Sequence, residues 1–358
     1  MFLPRIDIDL GLGASLSGVI SGGSFLGYCC AIVFSAWATE RYGARGVAVA
    51  AAMVAAIGMA GIAWAPAPQW LAAAVLLAGT STGLASPPLA AAVAAAVPPA
   101  RQDATNTAIN AGTSAGVALS GPVALVLAGQ WRLAFGTFAV IAVLLAAAVA
   151  HVLPKTSFLP ETRRDNPPDG PPPLGGPMRR LIGAAFLMGA ASTALWSFGG
   201  QLVKLRLGWN STGTGLLWIS IGAGGIAGAW AGALVARFGM HRVHRVFLAF
   251  MSAGILAVGS GLAIPVLALL GGALFGAAYM MLTGVYLVWG VKALSERPAT
   301  GLTIGFLSIA VGQTVGAALF GLLLDRFGTG PATTAFAAAA LLPGFILSGR
   351  PAAPAGGE

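Results

Sequence analysis

Ala36-Trp37-Ala38-Thr39-Glu40-Arg41-Tyr42-Gly43-Ala44-Arg45 separates two long apolar runs, and Gly232-Ala233-Leu234-Val235-Ala236-Arg237-Phe238-Gly239-Met240-His241-Arg242 separates two more. Arg41-Tyr42-Gly43 recurs as Arg237-Phe238-Gly239 at an offset of 196 residues. In each stretch a glycine supplies the backbone freedom that a sharp turn between two helices needs. Glu40 stands among Arg41 and Arg45, so the first turn can hold a charge contact that one arrangement of helices makes and another breaks. Ala236 takes the acidic position in the second turn, which keeps Gly232, Arg237, Gly239 and Arg242. The repeat extends to Gly112, Gly116 and Gly121, which recur as Gly312, Gly316 and Gly321 at an offset of 200.

Around these turns the chain is apolar: of 358 residues 57% are hydrophobic and 8% charged, and the mean hydropathy is +0.86. A water-facing domain carries about 25% charged residues. The 19 Lys+Arg and 10 Asp+Glu here cannot solvate a globule of this size, so most of the surface faces lipid. The net charge of +9 does not signal nucleic acid, because the basic residues sit in gaps between apolar runs rather than along one soluble face. Cys29 and Cys30 are adjacent in an apolar run and read as small hydrophobes, not as a disulfide framework.

A bilayer core takes about 20 apolar residues per helix. Charge-free runs predict eleven spans, at 13–38, 46–65, 69–97, 104–127, 132–153, 180–200, 212–236, 245–263, 265–291, 299–324 and 330–348. Their backbone must be satisfied internally, and the Ala, Leu, Val and Gly content suits helices rather than barrel strands. The Pro-rich stretch 154–179 reads as a linker between a five-span half at 1–153 and a six-span half at 180–350, followed by a tail at 351–358. Shifted back by 196, the span 180–200 falls before Met1, so the repeat expects a first helix that this sequence lacks. Met1–Leu10 holds Arg5, Asp7 and Asp9, which does not suit a cleavable signal peptide.

Arg5, Arg132, Lys204, Arg206 and Arg326 fall beside one set of loops, and the other fourteen of the 19 basic residues beside the alternate set. The positive-inside rule makes the second set cytoplasmic, with the linker and C-terminus inside. The expected location is a bacterial inner membrane, crossed many times.

The 36–45 stretch resembles the G-x-L-a-D-R-x-G-r-r signature of the major facilitator superfamily. Glu40 stands for its Asp, and Arg41, Gly43 and Arg45 match, whereas Ala36 and Ala38 replace its Gly and Leu. Gly112, Gly116, Gly121 and Pro122 look like that family's fifth-helix exporter motif, and Trp131-Arg132-Leu133-Ala134-Phe135 like its entry to the sixth helix. The resemblance implies an all-α polytopic fold of two pseudo-symmetric six-helix halves, with eleven spans visible and the first missing. It implies secondary transport of a small solute by alternating access, in the direction of efflux or antiport. The alternatives are a truncated chain that does not transport, or an importer of a sugar or organic acid.

In the family the first, fourth, seventh and tenth helices line the path. That placement nominates Thr80, Thr82, Trp196, Gln201, Tyr279 and Tyr286, with Asn106, Asn110 and Gln313 from neighbouring helices. By this division no Asp, Glu, Lys or Arg lies deep in a span, where ion-coupling groups are usually found. Proton coupling then rests on the absent first helix or on Asp7 or Asp9, or does not occur, and a neutral or amphipathic solute is expected. His151, His241 and His244 lack metal-ligand spacing, and no phosphate-binding loop is present. No cofactor, metal or catalytic residue is therefore expected, and the chain reads as a monomeric carrier rather than an enzyme.

Overall fold

A computed structural model describes residues 2–127, 129–153, 175–294 and 298–346, and all of its regular structure is helical. The first half comprises α1 (Leu3–Leu10), α2 (Ala14–Tyr42), α3 (Ala44–Ala63), α4 (Pro68–Ala96), α5 (Pro99–Val126) and α6 (Trp131–Val152). The second comprises α7 (Gly176–Trp196), α8 (Gly199–Leu207), α9 (Ser211–Gly225), α10 (Ala231–Phe238), α11 (Met240–Gly259), α12 (Pro265–Ala293), α13 (Pro298–Phe327) and α14 (Thr329–Leu341). Single 3₁₀ turns join α9 to α10 and follow α14.

Each predicted run is helical, with three differences. Among the described residues seven helices are long and apolar enough to cross a bilayer, or nine when the bent pairs α7–α8 (48°) and α9–α10 (52°) each count as one span. α14, at 13 residues, is too short alone, and part of α5 lies outside the described residues. Second, the chain is already helical at Gly176, where Pro177 suits a first turn that needs no N–H; the predicted linker otherwise lies outside the described residues, as does the tail. Third, residues 3–10 form a helix of their own.

The backbone carries the repeat more fully than the side chains do. Among the described residues six glycines have positive φ, and they pair between halves: Gly11 with Gly208 (65° and 64°), Gly43 with Gly239 (80° and 81°), and Gly129 with Gly328 (84° and 76°). Prolines open matching helices as well, Pro68 with Pro265 and Pro99 with Pro298. The halves meet where α2 runs along α13 and α5 along α9. Glycine makes both approaches close: Gly18 lies against Ala317, Gly22 against Thr314, and Gly222 against Ala118.

Packing is uneven. The second half is built around α7, whose Leu181, Met188 and Leu195 are fully enclosed, whereas the first half has a smaller cluster of Phe2, Ile6, Leu71 and Trp131. The glycine repeat is uneven in the same way. Gly312 and Gly316 press on Phe186 and Ala190 of α7, but a Cβ on Gly112 or Gly116 would meet nothing within 4 Å. No neighbour comes close at Gly112 and Gly116, because no described helix stands against α5 as α7 stands against α13. The close approach of α5 falls instead at Gly121, against Gly215 and Ile219 of α9.

Candidate functional site

The polar groups inside the bundle converge on Gln313 of α13. Its Nε2 donates to Tyr279 Oη of α12 (3.1 Å) and, more weakly, to Ser192 Oγ of α7 (3.4 Å). The Ser192 hydroxyl in turn donates to Gly189 O. Tyr279 stacks on Phe275 (6.2 Å) and meets the Trp196 ring edge-on (5.1 Å), and Trp196 lies 5.6 Å from Trp218 of α9. The first half comes close as well, since Gly22 of α2 lies against Thr314, the residue after Gln313. Three atoms here and at the end of this wall are buried without a hydrogen-bond partner: Trp196 Nε1, Trp218 Nε1 and Gln201 Oε1.

Of the nominated residues, Trp196, Tyr279 and Gln313 are thus brought together. Gln201 lies one turn beyond, in a crevice of about 210 Å³ shared with Asp7, Ile8, Leu12, Lys204 and Leu205. Tyr286 is not at the site. It is fully enclosed, donates to Ala184 O (3.2 Å) and contacts His244 Nε2 (2.9 Å), so it joins α12 to α7 and α11 as part of the core. Thr80 spends its hydroxyl on Leu77 O and closes against Gly27, and Thr82 is exposed on α4. The side chains of Asn106 and Asn110 lie outside the described residues. Trp218 and Phe275 were not anticipated, since an aromatic in an apolar helix carries no sequence mark that separates a cavity wall from a lipid anchor.

The two ends of the bundle differ. At the end bearing the repeated turns, Arg41 lies over Trp37 (6.0 Å) and Arg237 over Phe238 (5.2 Å). Glu40, Arg45 and Arg242 make no ion pair among the described residues, where the one salt bridge is Arg5–Asp9 at 3.2 Å. The charge network expected around Glu40 is therefore not assembled in this conformation. Gly43 and Gly239 do make the expected turns.

The opposite end is held by a residue that sequence reading passed over. Asp325, near the C-terminus of α13, accepts from the N–H groups of Ala14 (3.0 Å) and Ser15 (2.6 Å) at the start of α2. A carboxylate there satisfies donors that a helix leaves free and complements its positive end. The sequence did hold a signal: Gly321, Asp325, Arg326 and Gly328 have the spacing of Ala36, Glu40, Arg41 and Gly43, at the other end of the bundle. Nearby, Ser17 Oγ donates to Asp7 (2.6 Å), Trp131 Nε1 donates to Asp9 (2.8 Å), and Arg132 donates to Ala63 O and Ala65 O while lying 4.2 Å over the Trp131 ring.

Burial raises the Asp7 carboxyl to about 6, opposed by the Ser17 hydrogen bond and Lys204 of α8 and reinforced by Asp325 of α13. The protonated form is thus favoured in the folded protein. Its stabilising contribution is complete below pH 3.8, fades as pH rises, and is lost above about 6. Melting of Asp7→Asn should accordingly show a smaller drop between pH 5 and pH 7.5 than the parent protein; an equal drop would assign the dependence to another group.

A family model described as Major Facilitator Superfamily matches residues 1–311. No curated protein sequence matches the chain. Among solved structures, the xylose transporter XylE from E. coli superposes with a TM-score of 0.77 at 14% identity, covering 96% of this chain and 89% of that one. The nucleoside transporter NupG gives 0.70 at 13% identity, covering 95% and 91%. The human organic anion transporter MFSD10 gives 0.59 at 22% identity, covering 92% and 83%. At these identities the likeness is one of fold.

Proposed function

The chain belongs to the major facilitator superfamily, and from that premise we propose that it is a secondary transporter which carries a small uncharged or amphipathic solute by rocking its halves about the Gln313 cluster. The observation that supports this most is the contrast between the two ends: Asp325 bonds the halves together at one, while at the other Glu40 makes no ion pair among the described residues. A site between two repeats, closed on one side, is what alternating access needs. The 1–153 and 180–350 halves are the moving bodies in this reading, and the end with Arg41 and Arg237 is cytoplasmic.

Export is the direction we favour, on the Gly121-Pro122 ending of α5, in a bacterial inner membrane and as a monomer. Import has its own support, because two of the similar folds are named as xylose and nucleoside transporters. Proteoliposome flux in both directions tests the reading. Solute-dependent flux that Arg41→Ala reduces severalfold, with folding intact, is the expected result, since the substitution removes a cation available to Glu40 when that end rearranges during the cycle. Absence of flux for every solute that binds would leave a membrane protein that does not transport.

A further inference from the structure

Two indole N–H groups in the second half are enclosed by protein and have no hydrogen-bond partner among the described residues. Buried donors almost always have partners, so Trp196 Nε1 and Trp218 Nε1 together ask for acceptors that the described residues do not supply. Tyr279 adds a third donor, since its oxygen already accepts from Gln313 and no acceptor for its proton stands among the described residues. Trp218 is itself nearly enclosed, at 8% exposure, whereas Trp196 keeps part of its surface open.

The geometry limits what can bind. The indoles are 5.6 Å apart and tilted by 40°, whereas a flat guest between two rings needs about 7 Å, twice a van der Waals contact. A guest must lie across the pair, against Phe275 and Tyr279 (5.8 and 5.1 Å from Trp196). The side chains gathered here are Trp, Phe, Tyr, Ser and Gln, with no carboxylate to hold a cation and no Lys or Arg to hold an anion. The rings alone would attract a cation, but unpaired N–H groups present positive hydrogen and favour oxygen acceptors instead.

We propose that the Trp196–Trp218 pair is the recognition element for an uncharged, ring-bearing solute that presents two or more acceptor oxygens, with glycosides as the simplest such chemistry. This rests on reading the Gln313 cluster as the transport site, and it narrows the substrate class.

Calorimetric titration of the protein in lipid nanodiscs tests the assignment, with phenyl β-D-glucoside and uridine as neutral rings bearing several acceptor oxygens and phenylacetate and phenethylammonium as charged ones. At least one neutral ring should bind saturably and at least about tenfold more tightly than either charged ring, the difference expected from burying an unpaired charge. Trp218→Phe, which keeps a ring and deletes the N–H, should weaken that binding about fivefold, as should Trp196→Phe, the loss expected for one hydrogen bond. Should either variant fold poorly, ¹⁵N-indole resonances of the parent protein give the second reading: two should shift on titration. Tight binding of a charged ring, no binding by any neutral one, unchanged affinity in both variants, or unmoved indole resonances would each overturn the assignment. Neutral binding without flux would instead remove the transport reading and leave this one standing.

Discussion

Asp325→Ala should shift the protein toward conformations open at the end where α2 begins. The substitution removes the acceptor for Ala14 and Ser15 N–H across the halves. Loss of such a cap is worth about 1 kcal/mol, or about fivefold in the ratio of two states. Spin labels at Trp64 and Leu262, exposed matching positions at that end, should move apart, while labels at Val152 and Phe345 at the other end should approach. Cys29 and Cys30 are replaced by Ala in every background. Asp325→Asn, which still offers an oxygen, should shift the distances less than Ala. Identical distance distributions in all three would mean that the capping contact does not hold the halves.

Gly312→Leu should unfold the second half, whereas Gly112→Leu should leave the fold intact. A side chain at Gly312 collides with the backbone of Phe186, and one at Gly316 with Ala190, where neither helix can yield without dislodging the other. Overpacking of this kind costs about 1–3 kcal/mol for a few methylenes and more against backbone. At Gly112 and Gly116 the space is open, and Ala at either should raise stability by up to about 1 kcal/mol through helix propensity alone. Thermal melts in detergent separate the two: loss of the folded peak for Gly312→Leu, and an unchanged or higher midpoint for Gly112→Ala. Equal damage at both positions would mean that α5 and α13 are equally enclosed.

These two cases also mark how far the sequence could be read. Eleven helical runs and their turns follow from charge-free length and from Arg-x-Gly, because lipid imposes both. The turn at Gly43 and its echo at Gly239 needed no structure. Which glycine face is packed did not follow, since Gly112 and Gly312 have the same spacing and differ only in what stands opposite. At the site, Trp196, Tyr279 and Gln313 were legible as polar or aromatic residues on the helices lining the path. Tyr286, two turns along the same helix from Tyr279, was assigned to the cavity for the same reason and belongs to the core. Seven residues apart, the two share one helix face, so depth along α12 decides this: Tyr279 meets Gln313, whereas Tyr286 meets His244 and Ala184 O, and an apolar run carries no mark of depth. Asp325 was missed because a carboxylate at a span end reads as ordinary solvation until the α2 N-terminus is seen beside it.

The paired turn glycines imply two different substitution spectra. Gly11 and Gly208 sit at ψ 37° and 21°, in the left-handed helical region that Asn and Asp tolerate. Gly43, Gly239 and Gly328 combine positive φ with ψ of 153°, 147° and −177°, a region essentially closed to residues with a Cβ. Homologous chains should therefore show Asn drifting in and out at the first pair, independently in each half, while the other three positions stay glycine even where the neighbouring charges have been lost. Within this chain the two turns already differ in that way, with Glu40 beside Gly43 in one and Ala236 beside Gly239 in the other: the backbone demand is shared where the charge is not.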